Sequence, residues 1–268
     1  MINETEIRQM IEKIIKDINV APKEESFEAD LISNPHNLEL LKDMTKLTPA
    51  RIGLGRAGSR YTTQNFLRFR TDHAAAMDAV FTSVSEEFLT GLNLTTFQTK
   101  CIDKDHYLTR PDLGRQFDTD VLSQIKAHLG GQFQVVLYVS DGLSSTAVEA
   151  NAPDALQVIQ QGLKAKGITT APAFFVKYGR VPAMDPIAEA TGADVCCVLI
   201  GERPGLVTAE SMSAYLAYRP TVNMPEARRN VMSNIHKKGT PAVEAGAYIV
   251  DLIEMMIGNK ASGLDLKL

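Results

Sequence analysis

Three apolar runs in the second half of the chain constrain the fold more than any other feature: QVVLYVS at 134–140, APAFFVKYG at 171–179 and ADVCCVLIG at 193–201. Their apolar residues are consecutive rather than alternating, so each run must bury both of its faces. Each ends in a polar turn that carries glycine, and helical patterns separate them. Strands alternating with helices in this way build βαβ units. The chain is therefore expected to be an α/β protein with a parallel sheet flanked by helices on both faces.

The rest is less regular. Helical spacing recurs near 37–45, 63–80 and 115–128, and a strand fits near 95–102. Downstream, 226–258 reads as helical, interrupted by KKGTP at 237–241. A long terminal helix is expected from Pro241, because proline suits a first helical turn. Its Val243, Ala247, Ile249, Val250, Ile253 and Met256 spread widely enough around the helix to be mostly buried.

At the other end, Ile7, Met10, Ile11, Ile14, Ile15 and Ile18 fall on a single helical stripe. The APKEESFEAD that follows is acidic and carries proline, which marks a linker. The organisation expected is an amphipathic helix over 1–20, a linker over 21–34, a mixed region over 35–130 and the sheet domain over 131–268. Two readings of the first helix stand side by side: it docks its stripe on its own domain or a sister subunit, or it lies in a groove of some other partner.

Hydrophobic residues make up 44% of the chain and charged ones 22%, with a net charge of −4, so no basic field draws it to nucleic acid or an anionic membrane. No apolar run is long enough to span a bilayer, and the N-terminus lacks a secretory pattern. Cys101, Cys196 and Cys197 are odd in number and two are adjacent in an apolar run, which suits a reduced, cytoplasmic protein. His36, His73, His106, His128 and His236 are scattered and no CxxC occurs, which argues against a metal site in this chain.

Gly53-Leu54-Gly55-Arg56-Ala57-Gly58 spells the dinucleotide-binding pattern, but KLTPAR precedes it where an apolar strand is needed and SRYTT follows where a helix is needed. A basic loop in which Arg51, Arg56 and Arg60 face carboxylates is the preferred reading, with a self-sufficient nucleotide-binding enzyme as the rival. Arg68, Asp72 and His73 fall near one another on a helix, a placement more often structural than catalytic.

The stronger signal lies at the strand ends: SDGLSS at 140–145, YGRV at 178–181 and GERPGL at 201–206. In a parallel sheet these turns gather at the carboxyl edge, where open α/β folds bind ligands. The rim offers backbone N–H groups, acids and two arginines, and suits a large polar ligand; the alternative is that its glycines and charges only make turns. Asp141 and Glu202 are the acids available for proton transfer, without a nucleophile beside them. Two further polar clusters, Arg110-Pro111-Asp112 with Arg115 and Ser233-Asn234-Ile235-His236, suit an interface or ordinary capping.

The blocks TPARIGLGRAGSRYTT, LRFRTDHAAAMDAV, YLTRPDLGR, SDGLSS, FFVKYGRV, GERPGL, SNIHKKGTP and KASG occur in the same order as in the small, or light, subunit of ethanolamine ammonia-lyase, which the chain resembles from about residue 35 to its end. The resemblance implies a Rossmann-like domain that encloses adenosylcobalamin against a large TIM-barrel subunit. By matching position, the family's cofactor contacts fall on Val181, Glu202 and Val231. The family's pattern has cysteine at the last position; valine there removes a thiol and leaves a packing or backbone contact. At Glu202 a carboxylate accepts hydrogen bonds from corrin amides or a ribose hydroxyl.

The implied chemistry is carried by the cofactor, with this chain supplying a wall of its cavity and no catalytic residue. A non-catalytic scaffold, whose strand-end loops only pack on a partner, is the remaining alternative. The resemblance also implies a bacterial microcompartment, with the first helix as the packaging signal for shell proteins. Deleting residues 1–20 is then expected to release the enzyme from shells and leave its activity in place, and unchanged co-purification with shells would contradict this.

Overall fold

The computed structural model describes residues 31–48 and 50–267; the expected helix over 1–20 and most of the linker lie outside them. The chain divides between Thr71 and Asp72 into two compact units. In the first, helix α1 (Leu38–Lys46) is capped by Asn37, whose Oδ1 accepts the Leu40 amide at 3.0 Å. A short hairpin, β1 (Arg56–Ala57) with β2 (Arg60–Tyr61), follows, and helix α2 (Thr63–Phe81) begins here.

The GLGRAG motif thus runs into a two-stranded hairpin, supplying its first strand and Gly58 of its turn, rather than a strand-to-helix turn. Arg56 lies 4.6 Å from the centre of the Tyr61 ring and donates to the Ser59 carbonyl. The pyrophosphate cradle needs backbone amides at a strand-to-helix turn, and a motif that runs into a hairpin does not present them.

The second unit holds a sheet of six strands: β3 (Thr95–Gln98), β4 (Val135–Ser140), β5 (Phe174–Lys177), β6 (Val195–Gly201), β7 (Met212–Tyr218) and β8 (Asn230–Ile235), in the order β3-β5-β4-β6-β7-β8. The first four are parallel; β7 pairs antiparallel with both β6 and β8, so it alone is reversed. The three apolar runs are the core strands β4, β5 and β6, as expected. The mostly parallel sheet also draws an edge strand, β3, from upstream of residue 131.

Two findings differ from the sequence reading. The run MSAYLAY, unassigned there, is strand β7, and part of the supposed helical stretch after Glu226 is a single 3-10 turn (Glu226–Arg228) followed by β8. The half-exposed NVMSNI of β8 has no apolar periodicity of its own; pairing with β7 makes it a strand.

Helices cover both faces. On one, α6 (Ser145–Ala165) and α8 (Ala242–Asn259) bury Val148, Ile159, Ile249 and Ile253 against Leu137, Leu199 and Leu216. On the other, α5 (Thr119–Leu129) and α7 (Met184–Thr191) bury Ile125, Met184 and Ile187 against Tyr138, Val198 and Phe174. Two short helices, α3 (Glu86–Gly91) and α4 (Lys104–Thr109), complete the unit. Cys196 and Cys197 point into opposite cores, and burial pushes both thiols up. No described helix is long and apolar enough to cross a membrane.

The connection from β7 to β8 is tied to α7 by a buried ion pair. Arg229 Nη2 donates to both oxygens of Asp185 at 2.7 Å, and the two side chains are only 2% and 4% exposed. Arg229→Ala is expected to cost about 3–5 kcal/mol in urea unfolding, because it strands the Asp185 carboxylate. Replacing the pair together, by Asp185→Leu with Arg229→Met, is expected to cost clearly less. Equal losses in the two variants would contradict this account.

Candidate functional site

The site is built at the carboxyl edge of the parallel strands. The connection leaving β4 crosses the face covered by α6, and the connection leaving β5 crosses the face covered by α7, so the chain switches direction between these neighbours. Glycine permits the edge to close. A Cβ on Gly201 would meet the Ser144 carbonyl oxygen at 2.1 Å, and one on Gly142, already at φ 55°, would meet the Gly201 oxygen at 2.4 Å. The Leu143 amide donates to Gly201 at 3.0 Å and locks the two turns together.

At the switch itself sits Asp141, 2% exposed. Its Oδ1 accepts the Tyr178 amide at 2.8 Å, the Gly142 amide at 3.0 Å and the Ser140 hydroxyl at 3.3 Å. Tyr178 has φ 59°, a left-handed conformation costly for a tyrosine, and the hydrogen bond that its N–H donates to Asp141 holds it there. Thr99 Oγ1 donates to the Tyr178 carbonyl, and Lys104 Nζ to that of Gly142. The Arg180 guanidinium lies 4.1 Å from the centre of the Tyr107 ring and donates to the Tyr107 carbonyl. These side chains pack part of the crevice, with Asp141 as a clamp between strand ends, and a cavity of about 480 Å³ lined by Thr96, Asp141, Phe175 and Lys177 among others opens beside them.

Of the three residues expected to bind a cofactor, Glu202 and Val231 lie toward β7 and β8, and Val181 follows β5. Strand register places Tyr138, Val198, Tyr215 and Val231 in one row across β4, β6, β7 and β8, so they share the face covered by α5 and α7. That row is closed at its centre and open at its end, where Val231 is 50% exposed. Val181, in the turn between β5 and α7, packs against the same apolar cluster as Tyr215. A cavity of about 450 Å³ opens beside it, lined by Arg115, Phe117, Pro182 and Met224 among others.

Glu202, the first residue after β6, is strapped in place. Ser211 Oγ donates to its Oε2 at 2.6 Å, Ser213 Oγ to its Oε1, and the Asn234 amide to Oε1 at 3.1 Å. The Tyr215 phenol is pushed up by burial and then by the nearby Glu202 and Glu226 carboxylates. Glu202 therefore shares the surroundings of Tyr215 with Val231. Sequence reasoning placed all three residues by resemblance and missed Tyr215, Ser211 and Ser213. The alternating MSAYLAY was the one signal available for Tyr215.

The other clusters divide. Asp112 and Arg115 line the cavity beside Pro182, with Asp112 also bound to Arg110 Nε and Nη2 at 3.0 and 2.9 Å. Asn234 belongs to the Glu202 strap, and its Oδ1 lies 2.8 Å from His236 Nε2. Asp141 and Glu202 each have backbone and hydroxyl donors of their own. Among the described residues no group of His, Cys, Asp and Glu is arranged to hold a metal ion.

Fold and edge together define a Rossmann-like α/β domain whose open face carries the Glu202 carboxylate among apolar side chains. The ethanolamine ammonia-lyase light chain family model matches residues 38–267, and the chain belongs to that family. It is 62% identical over 238 residues to the ethanolamine ammonia-lyase small subunit of Clostridium tetani, which covers 89% of this chain and 81% of that one. Identity to the small subunit of Clostridium perfringens is 53% over 274 residues, covering 97% and 92%, and to that of Clostridioides difficile 56% over 237 residues, covering 88% and 81%.

Burial pushes the Asp141 carboxyl up to about 6, against the pull of Lys104 and of the Tyr178 and Gly142 amides. The folded chain thus holds this proton to higher pH than the unfolded chain, whose aspartates titrate near 4. The stability this proton confers is complete below about pH 4 and is lost as pH rises through about 6. Asp141→Asn cannot titrate. Relative to the unsubstituted chain, it is expected to gain on the order of 1–3 kcal/mol between pH 4.5 and pH 7, measured by urea unfolding. A difference that stays constant with pH would contradict this.

Proposed function

We propose that the chain is the small subunit of an adenosylcobalamin-dependent ethanolamine ammonia-lyase, in which it forms one wall of the cofactor site against a large TIM-barrel subunit. The observation that carries this reading is the strapped Glu202 carboxylate and half-exposed Val231 beside Tyr215 at the open end of one face, with Val181 packed against the apolar cluster of that same face. A corrin ring has apolar faces and a periphery rich in amide donors. Half-exposed Val231 suits the former and the Glu202 carboxylate the latter. Valine in the place of the family's cysteine keeps an apolar surface and needs no thiol. The residues present therefore fit the group.

Bound adenosylcobalamin would supply the radical that begins the conversion of ethanolamine to acetaldehyde and ammonia. This chain's part is to bind and to shield: Val181 and Val231 exclude water from the wall they form, and Glu202 orients a donor of the cofactor. No side chain here is assigned to the substrate, which the large subunit would bind. Residues 35–130 are the proposed contact with that subunit, and the cytoplasm, within a microcompartment shell, the proposed location.

The test is ammonia release from ethanolamine with adenosylcobalamin, using this chain alone, the cognate large subunit alone, and the two co-expressed. Activity is expected only in the mixture. No activity in the mixture, with the large subunit shown competent beside another small subunit, would overturn the proposal. In the active mixture, Val231→Asp is expected to raise the KM for cofactor about tenfold or more, since it puts a charge on an apolar contact.

A further inference from the structure

A glutamate just past a strand end is ordinarily a mobile side chain, and ordering it costs rotamer entropy. Glu202 is held from three directions by residues that come from two other strands or their ends. Ser211 and Ser213 flank Met212 at the start of β7, and Asn234 lies near the end of β8. From Met212 to Ala214 β7 advances two residues, whereas its partner β8 advances three, from Ile235 to Met232. The extra residue is a β-bulge, a device that re-aims backbone and side chains next to functional sites. Within it Asn234 adopts φ 63°, and its amide turns to the Glu202 carboxylate. The Asn234 carbonyl accepts the Thr240 amide at 3.0 Å, and its side chain meets His236, so the bulge is itself braced.

A carboxylate offers about four lone-pair positions. Ser213 and Asn234 take both on Oε1, and Ser211 takes one on Oε2. One acceptor position remains, on Oε2, with its direction set by the other three bonds. We infer that Ser211, Ser213 and the bulged Asn234 are positioning residues that turn Glu202 into a single directed acceptor for one amide or hydroxyl donor of the bound ligand. This rests on the cofactor reading of Glu202 above. Preorganisation of this kind favours binding by removing the cost of ordering the side chain at the moment of association.

The experiment uses the complex with the large subunit and measures hydroxocobalamin affinity by its absorbance change on binding, together with kcat at saturating adenosylcobalamin. Ser211→Ala with Ser213→Ala is expected to weaken cobalamin binding about tenfold and leave kcat within about twofold. In a Glu202→Ala background the same two substitutions are expected to change affinity by less than about twofold, because nothing is left to position. Ser213→Thr, which keeps the hydroxyl, is expected to bind as the unsubstituted complex does, and it serves as the test should the double variant fail to assemble.

Full affinity in the double serine variant, or an equal loss with and without Glu202, overturns the inference while the cofactor reading stands. Weak binding by Ser213→Thr overturns it as well. An unchanged affinity in Glu202→Ala itself removes Glu202 from the cofactor site and so overturns both.

Discussion

Where β4 and β6 end, the backbone of one turn packs directly against the backbone of the other, and there is room for hydrogen atoms alone at Gly142 and Gly201. That close approach fixes how three loops leave the sheet. It sets SDGLSS over the face of α6, directs GERPGL toward β7, and leaves Asp141 beneath the turn at Tyr178, whose left-handed backbone it restrains. A side chain at either glycine would move the start of α6 and Glu202 together, so the geometry of the open edge depends on this contact.

From that edge the site extends away from the topological switch. In many open α/β sheets the crevice between diverging strands receives the ligand. Here Asp141, Lys104, Tyr107 and Arg180 occupy part of it, and a cavity of about 480 Å³ remains beside Asp141, Phe175 and Lys177. A second accessible surface lies where strands β7 and β8 extend the sheet. One cross-strand row runs from buried Tyr138 to half-exposed Val231. The Asp185–Arg229 pair ties the beginning of β8 to α7, and the Asn234 bulge ties its end to Glu202. The proposed cofactor wall needs shape and a few fixed polar atoms rather than reactive groups, and this arrangement supplies both.

The core of this fold was legible because β4, β5 and β6 are buried on both faces, which leaves unbroken apolar runs that few other structures explain. Helices α1, α2 and α5 and strand β3 also fall where spacing placed them. Strand β8 was not legible. It lies at the sheet's edge with Val231, Ser233 and Asn234 exposed, so its sequence carries no burial pattern, and long-range pairing decides its state. The site divides in the same way. Glu202 stood out because it follows an apolar strand, whereas Ser211, Ser213 and Asn234 lie 9, 11 and 32 residues further on and meet it only in the folded chain. The GLGRAG motif was discounted because of the segments around it, and those segments fold as a helix before it and a hairpin through it.

The central claim is that cobalamin lies against the Val181, Glu202 and Val231 surface of this chain. Hydrogen–deuterium exchange on the complex with its large subunit, with and without cobalamin, tests it most directly. Protection is expected in peptides covering 178–184, 201–204 and 230–236, with little change across the GLGRAG hairpin. Unchanged exchange in those three segments, in a complex that demonstrably binds cobalamin, would contradict the account.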